Sequence, residues 1–350
     1  MIPVMRPQLP EPSAFNVRLE QIHSTGIYSN YGPQVQELEA RFASRLGVSS
    51  DQVIVMSSAT AALTGIVSIL GFEIWRIPSW TFVATALSVA NSGKRLQFAD
   101  VDAQSHTMKC RRDRPDMGNI ITLPFGVGLP EDWTNPDSYP EVIDGAASLG
   151  AIQNLGALPE HSNIVFSLHA TKYLGSGEGG ILVSGDPRTV KKLRAWSNFG
   201  FSGSRESQLI GNNAKMSEFQ AAIAHTVLDN EAGERKEWTK LRDQTLKLES
   251  RLSIEPSKIS KGTIAPYWIA NFESAEQTET VETGLKRVGI ESRRWWAEGC
   301  HKMPALRGRE REDDLPNTGF LASHTLGLPY FRGLTEVQLD RVETALKKFL

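Results

Sequence analysis

One segment, residues 167–186 with the sequence SLHATKYLGSGEGGILVSGD, combines a lysine with closely spaced glycines. Gly175, Gly177 and Gly180 match the G-x-G-x-x-G spacing of a dinucleotide-binding turn, a motif that requires a strand before the glycines and a helix after them. The residues that follow them, ILVSGD, are typical of a short buried strand that ends in a Gly-Asp turn. The sequence therefore argues against a dinucleotide site, and Lys172 becomes the residue of interest.

Two other segments could act together with Lys172. The stretch SSATAAL at 57–63 follows an apolar run, so Ser57 or Ser58 can cap a helix whose first backbone N–H groups face an anion. Asp144 stands at the end of another apolar run and is followed by small residues. Ligands of open α/β sheets bind beyond the carboxyl ends of the strands, where such an aspartate would lie.

These three features match the needs of one cofactor, pyridoxal phosphate (PLP). PLP requires an anion site for its phosphate, an acid beside its pyridinium nitrogen and a lysine for its aldehyde. Each feature also has an ordinary structural explanation, because strand-end aspartates cap turns, most lysines are solvated and SSATAAL could simply begin a helix. The residue types alone leave both interpretations open.

The elements that must position these groups are visible as apolar, β-rich runs separated mostly by helical or loop segments. Such buried strands alternating with helices predict an α/β fold with a sheet covered by helices on both faces. The runs occupy residues 53–56, 96–100, 119–123, 141–144, 163–168 and 181–184.

The pattern changes after residue 216, where a mostly helical and increasingly charged segment extends to about residue 252. We take this segment as the boundary between a large domain at 1–227 and a smaller C-terminal α/β domain at 228–350. In the small domain, the charged run 307–319 is interpreted as a solvated loop. The last segment predicts a helix with a Thr335–Gln338 capping box and an apolar face of Leu339, Val342, Leu346 and Phe349.

Composition narrows the class of protein. The 350 residues are 40% hydrophobic and 22% charged, with a formal net charge of −2, which argues against nucleic acid as a partner; the basic cluster at 109–115 is interpreted as a solvated loop. The two cysteines form no CxxC and the histidines no HExxH, so no zinc site is expected.

Prolines interrupt the N-terminus, and the most apolar stretch is too short to span a bilayer. We expect a cytoplasmic enzyme without a membrane segment.

Taken in order, the motifs resemble those of the DegT/DnrJ/StrS-type nucleotide-sugar aminotransferases, which are PLP enzymes of fold type I. The resemblance implies an α/β fold whose large domain has a mixed, mostly parallel sheet between helices, with a smaller C-terminal α/β domain. The resemblance covers nearly the whole chain. Its segments include YSNYGPQVQELEARFASRLGV, SSATAAL, IPSWTFVATA, VIDGAASLGA, FSLHATKYLGSGEGG, NNAKMSEFQAAI, GIESRRWW and LGLPYFRGLTEVQLDRV.

The resemblance implies roles for individual residues. Lys172 matches the lysine that bonds covalently to PLP and then moves the substrate proton, and Asp144 matches the partner of the pyridinium nitrogen. Asn213 matches an asparagine that reaches the phosphate from the neighbouring subunit, which implies a homodimer with shared active sites. The other cofactor contacts implied are Phe82 stacked on the ring, and Ser167, Ala59 and Thr60 at the phosphate.

Some positions depart from the family pattern. Ala147 stands where many relatives carry Gln or His, which puts in doubt a side-chain hydrogen bond to the cofactor's phenolic oxygen. Ser57 and Ala59 replace the more usual Asn and Gly, and Lys215 stands where Arg is common. Glu178, within the glycine loop, is interpreted as structural or lightly functional, with the structural role favoured.

The family's typical acceptor is a nucleotide-linked keto-sugar and its typical donor is L-glutamate. In the SRRWW segment, Arg293 or Arg294 could bind a pyrophosphate, and Trp295 or its neighbour a sugar or base; a core tryptophan and a surface arginine explain the segment equally well. His301 is a further candidate. The expected role is amino-sugar synthesis for a glycan, lipopolysaccharide O-antigen or antibiotic.

Three other functions remain to be weighed. Within transamination, the acceptor could be a keto-cyclitol. PLP-dependent sugar dehydratases resemble this chain but carry His at the lysine position, so Lys172 argues against dehydration. A PLP-binding sensor or scaffold would need an attached DNA-binding or signalling segment, and none is visible in the 350 residues.

Overall fold

The computed structural model describes residues 1–111, 114, 116–129, 142–255 and 263–350. The strands are β1 (Val53–Met56), β2 (Ile74–Pro78), β3 (Arg95–Ala99), β4 (Met117–Thr122), β5 (Val142–Asp144), β6 (Asn163–Ser167), β7 (Gly180–Ser184), β8 (Trp268–Asn271), β9 (Glu310–Arg311) and β10 (Thr325–Leu328). The α-helices are α1 (Asn16–Thr25), α2 (Pro33–Leu46), α3 (Ala59–Leu70), α4 (Val83–Asn91), α5 (Pro187–Trp196), α6 (Glu218–Asp229), α7 (Glu231–Leu252), α8 (Ala275–Arg287), α9 (Pro316–His324) and α10 (Glu336–Phe349).

Within the described residues, eight strands form one sheet in the order β1-β7-β6-β5-β4-β2-β3-β9. β7 runs antiparallel to both of its neighbours, and the other neighbouring strands pair in parallel. The prediction of a mixed, mostly parallel sheet is confirmed. Because β7 reverses direction between β1 and β6, those two strands end at the same edge as β4 and β5.

The inner strands of the sheet are buried on both faces, which explains why most of their residues are apolar. Along β6, Ile164 and Phe166 belong to the core that includes α2 and α6, whereas Val165 belongs to the core that includes α3 and α4. The strand β1 alternates in the same way between Val55 and Ile54. Successive side chains of a strand point to opposite faces, so each strand contributes to two cores.

The predicted helix ends are confirmed where side chains cap them. Ser58 caps α3 by accepting a hydrogen bond from the N–H of Ala61. Thr335 and Gln338 form the predicted capping box at the start of α10. On α10, the predicted apolar face is buried at Leu339, Val342 and Leu346, with Phe349 packed against the same core.

A strand that the sequence did not indicate, β2, lies near the centre of the sheet. Its run is interrupted by Arg76, which is buried and donates from Nε and Nη2 to the Glu312 carboxylate at 2.7 and 2.9 Å. Burial works to raise the pKa of Glu312, but the hydrogen bonds and positive charges of Arg76 and Arg111 together outweigh it and hold that pKa below its ordinary value. The charge inside the strand is therefore paired, as a buried charge must be.

Glu312 belongs to the run 307–319, and its interpretation as a solvated loop is wrong for part of that run. Residues Glu310–Arg311 form β9, which extends the sheet beyond β3. α9 then begins at Pro316. The partner of Glu312 is a buried arginine more than 200 residues earlier in the chain, and this pairing could not be read from the local charge pattern.

The C-terminal part of the chain carries a second sheet, the antiparallel pair β8 and β10, against which α8 packs. Contacts cross the predicted boundary at residue 227 in both directions. Ile2 donates its N–H to Gly289 O at 2.8 Å, and β9 returns to the large sheet. The division into 1–227 and 228–350 stays a prediction.

Two of the sequence interpretations concern segments that the structure describes only in part. Residues 112, 113 and 115 of the basic cluster at 109–115, and residue 141 of the predicted strand 141–144, lie outside the described residues. Among the helices that the structure describes, none has both the length and the apolar character needed to cross a membrane.

Candidate active site

A cavity of about 430 Å³ opens where the parallel strands end. Thr122, Asp144 and Ser167 enter it as the last residues of β4, β5 and β6. The opposite wall comes from the C-terminal part of the chain. The sequence-predicted residues that line it are Ala59, Thr60, Phe82, Asp144, Ser167, Lys172, Arg293 and Trp295.

Asp144 is held rigidly at the end of β5. Its side chain is 4% exposed and accepts hydrogen bonds from the Thr85 hydroxyl at 2.6 Å and the Ala146 N–H at 3.1 Å. Burial raises the pKa of the Asp144 carboxyl, while these two donors and the positive charge of Lys172 act to lower it. A further cationic donor in the cavity would stabilise the carboxylate in its ionised form.

Thr85 itself is fixed by a chain of hydroxyl groups. It lies in the first turn of α4, and its hydroxyl pairs with Thr81 at 2.8 Å, which in turn pairs with Thr122 at 2.8 Å. All three threonines are buried. The sequence did not indicate Thr85, because its contact with Asp144 joins chain positions 59 residues apart.

Lys172 enters the cavity from the loop that follows β6. Its Nζ donates a hydrogen bond to the Tyr267 hydroxyl at 2.5 Å. The glycines after it lead directly into β7, which is a strand between β1 and β6. The rejection of a dinucleotide-binding turn is therefore confirmed.

The start of α3 borders the cavity, which Ser58, Ala59 and Thr60 line. Backbone N–H groups in the first turn of a helix have no acceptor within the helix, so this helix start can offer donors to an anion. A Cβ on Gly180 would stand 2.4 to 2.5 Å from backbone atoms of Ser58 and Ala59. Only glycine at this position allows β7, and with it the neighbouring Ser167, to approach the helix start so closely.

Aromatic side chains build the remaining wall. The Phe125 and Trp296 rings stack at 4.1 Å, and Trp80 meets Trp296 edge-on at 4.9 Å. Phe82, by contrast, is 58% exposed although it is a large apolar side chain beside the cavity. An exposed aromatic face next to buried polar groups is suited to a flat ring.

The SRRWW segment divides between the cavity and the protein surface. Arg293 lines the cavity, with its guanidinium 4.8 Å from the centre of the Trp295 ring. Arg294 instead binds Glu282 at 2.9 Å and two carbonyl groups of α9 at 3.1 Å. Trp296 lies in the aromatic wall, so both tryptophans border the cavity.

Two other candidates lie outside the cavity of this chain. His301 pairs through Nδ1 with the Ser79 hydroxyl at 2.7 Å, and burial lowers its pKa; this contact fixes the turn after β2. Asn213 is exposed beside Ala214, whose carbonyl accepts the Ser57 N–H at 2.9 Å. It therefore lies near the start of α3 without facing the cavity.

The structure adds residues that the sequence did not indicate. Tyr267 comes from the C-terminal part, and no local motif marks it. His169 and Glu178 also border the cavity, with 3.9 Å between His169 Nε2 and the carboxylate of Glu178. Glu178 was interpreted as structural; it is exposed at the cavity. Ala147 lines the cavity as well and offers no polar group there.

With this geometry established, comparison with known proteins decides the family. The model of the DegT/DnrJ/EryC1/StrS aminotransferase family matches residues 11–112 and 141–347. The chain belongs to this family. The fold-type-I architecture expected from the sequence is confirmed, and PLP is the cofactor of this aminotransferase.

Similar proteins match over almost their full length. Protein Rv3402c of Mycobacterium tuberculosis is 28% identical over 99% of this chain and 90% of its own. The dTDP-4-amino-4,6-dideoxy-D-glucose transaminase of Shigella dysenteriae is 27% identical over 99% and 98%. The crystal structure of DesI in the presence of its TDP-sugar product superimposes with a TM-score of 0.84 at 26% identity, covering 99% of this chain and 91% of that one.

The groups of the cavity fit PLP on chemical grounds. A buried carboxylate, an amine, free N–H and hydroxyl donors at a helix start, and an exposed aromatic face meet around one space. These are the groups that the cofactor's nitrogen, aldehyde, phosphate and ring require.

Proposed function

We propose that this DegT/DnrJ/EryC1/StrS aminotransferase moves an amino group from L-glutamate to a nucleotide-linked keto-sugar. The observation that carries the chemistry is the presence of the Lys172 amine and the buried Asp144 carboxylate in one cavity. The acceptor is inferred from the arginine and aromatic side chains on the cavity wall and from the substrates named for the relatives.

The residues around the cavity would hold PLP as follows. Ser167, Thr60 and the first N–H groups of α3 bind its phosphate, and Phe82 covers its ring. When bound, PLP supplies an electron sink that makes the α-proton of an amino acid removable. Lys172 provides the amine for its aldehyde.

Lys172 is the proton carrier of the reaction. A free lysine amine has a pKa near 10.4 and is mostly protonated at neutral pH, so it acts as a base only when its environment favours the neutral form. Linkage of this amine to PLP would remove that obstacle, and in the cavity its Nζ donates a hydrogen bond to the Tyr267 hydroxyl, which holds it at the cavity wall. From there it would take the proton from the α-carbon of the donor and, in the second half of the reaction, deliver a proton to the acceptor carbon that receives the amino group.

Asp144 keeps a proton on the pyridine nitrogen. Its carboxylate is oriented by Thr85 and the Ala146 N–H and has lone pairs left to accept from a further donor. Burial removes competing water, so a cationic N–H is the favoured partner of this group.

The acceptor would bind on the wall formed by Arg293 and Trp295. A guanidinium stays charged under all physiological conditions and can bind phosphate oxygens bidentately, and the neighbouring indole offers a flat face for a sugar or base. The relative from Shigella dysenteriae acts on a dTDP-linked sugar, and DesI was crystallised with a TDP-sugar. Both observations support a nucleotide diphosphate as the part of the substrate that Arg293 and Trp295 would bind.

Arg293→Ala is expected to raise KM for the nucleotide keto-sugar by about 10- to 100-fold, since a charged hydrogen bond is worth roughly 1.5–3 kcal/mol, while KM for glutamate changes little. Arg294→Ala is the matched control: it removes an ion pair and two hydrogen bonds outside the cavity, so the melting temperature falls and KM stays. Steady-state kinetics with both substrates decides. A larger KM effect from Arg294→Ala would reverse the assignment.

We further propose a homodimer in which each active site uses residues of both chains. Asn213 is exposed and lies one residue from the segment that contacts the turn before α3. Large apolar side chains are exposed along the same segment and beside it, including Ile210 at 95% and Phe199 at 48%. Such exposure is characteristic of a surface that another protein covers.

Mixing Lys172→Ala with Asn213→Ala is expected to restore activity, because one of the two sites in a heterodimer would then contain neither substitution. The recovered activity should approach a quarter of the wild-type value per subunit when the chains exchange randomly. The measurement is transamination before and after subunit exchange, with exchange verified by a mass-tagged chain. Complete exchange without recovery would show that Asn213 serves its own chain.

The proposed setting is the cytoplasm, in a pathway that supplies amino sugars to a glycan, a lipopolysaccharide O-antigen or an antibiotic. A panel of acceptors tests the substrate class. Efficient amination of a keto-cyclitol would identify the protein as a keto-cyclitol aminotransferase instead. Loss of water from the sugar without amination would identify it as a PLP-dependent sugar dehydratase.

A further inference from the structure

Tyr267 is the side chain from the C-terminal part that lies closest to the reactive amine. Its hydroxyl accepts the hydrogen bond from Lys172 Nζ at 2.5 Å, and the amine stands 4.9 Å from the centre of its ring. The ring is buried and is held edge-on by Phe125 at 5.6 Å and Trp295 at 5.0 Å. The hydroxyl is therefore fixed in place at the cavity wall.

The backbone explains how a residue from outside the main sheet reaches Lys172. The segment that leads to Tyr267 lies directly on the loop after Asp144: a Cβ on Gly150 would stand 2.5 Å from Ile264 O. Ala147 of the same loop belongs to the same buried cluster as Tyr267. Small residues in the loop after Asp144 thus allow this segment to pack closely against the loop. The Tyr267 hydroxyl is a polar group close to Ala147, whose own side chain has none.

We propose that Tyr267 is a positioning residue for Lys172 and for the phenolic oxygen of PLP. This inference rests on the proposed function of the cavity. A tyrosine hydroxyl has one hydrogen to donate and lone pairs to accept with. Since it accepts from the lysine nitrogen, its own hydrogen is free to donate to a negatively charged oxygen beside that nitrogen.

A donor to the phenolic oxygen favours the deprotonated state of the lysine-linked cofactor. Loss of the hydroxyl should therefore raise the pH at which the visible absorbance of the bound cofactor changes. A hydrogen bond to a charged group corresponds to a shift of about one pH unit. The other titratable or charged groups that face the cavity are Asp144, His169, Lys172, Glu178 and Arg293, and Tyr267→Phe leaves all of them in place.

The test compares PLP-loaded wild type with Tyr267→Phe, and with Tyr330→Phe as a matched loss of a buried hydroxyl outside the cavity. Absorbance spectra from pH 5 to 10 give the midpoint, and borohydride reduction followed by peptide mapping locates the cofactor. We expect the midpoint pH of the absorbance change to rise by about one pH unit in Tyr267→Phe and to stay at the wild-type value in Tyr330→Phe. In the double variant A147Q/Y267F the midpoint pH should return toward the wild-type value.

An unchanged midpoint in Tyr267→Phe, with the cofactor still linked to Lys172, would overturn the role of Tyr267 and leave the proposed function intact. If the wild-type protein carried no cofactor on Lys172, the proposed function itself would fail. The two failures are thus distinguished in the same samples.

Discussion

Replacing Lys172 with alanine is expected to lower the turnover number for transamination by more than about a thousandfold. A positioned acid–base group contributes about 10²- to 10⁴-fold to a rate, and Lys172 also provides the amine that holds PLP. Nothing else in the described part of the cavity is an amine, so no neighbour can take its place. Steady-state kinetics with saturating glutamate and acceptor measures the loss.

Lys192→Ala is the matched control, because Lys192 is exposed on α5 and lies away from the cavity. It should retain the wild-type turnover number. A Lys172→Ala enzyme within about tenfold of wild type would remove Lys172 from the acid–base role, because the loss would then lie below the usual range of such groups.

Asp144→Asn is expected to reduce turnover by at least about a hundredfold while PLP still binds. An amide cannot stabilise the protonated pyridine nitrogen, and the loss of one preorganised electrostatic partner costs about 10²- to 10³-fold in other enzymes. The amide can still accept from Thr85, so the site should keep its shape. Asp243→Asn, at an exposed position on α7, is the control and should behave as wild type.

The stability of the cofactor-free protein provides a second measurement on Asp144→Asn. Burial raises the pKa of Asp144 in the folded state, so the folded protein binds this proton more tightly than the unfolded chain does. The contribution of Asp144 to stability is then present at acid pH and is lost as the pH rises through the folded-state pKa. At neutral pH the apo variant should melt no lower than the apo wild type. A marked fall in melting temperature would mean that the carboxylate serves the fold.

The positions of Lys172 and Asp144 could be predicted because strand ends are local features. Apolar runs mark β5 and β6 in the sequence, and the residues that follow them must lie at one edge of a parallel sheet. The capped start of α3 was equally local, since Ser58 and the small residues after it are contiguous. The chemistry of the cavity was therefore visible as three short stretches.

Other parts of the site depend on packing between distant segments and left no local signal. Tyr267 reaches Lys172 because its segment lies on Gly150, a contact between chain positions more than 100 residues apart. The placement of Arg294 likewise depends on a distant partner, since Glu282 binds it outside the cavity that Arg293 lines. β2 escaped detection because the charge within it is neutralised by a residue far along the chain.

The most direct test of the account is to identify the residue that carries the cofactor. The PLP-loaded enzyme is reduced with borohydride, digested, and analysed by mass spectrometry, with Lys172→Ala processed in parallel. The account predicts a pyridoxyl group on the peptide that contains Lys172, and none on the same peptide of the variant. A stoichiometric pyridoxyl group on any other lysine would contradict it.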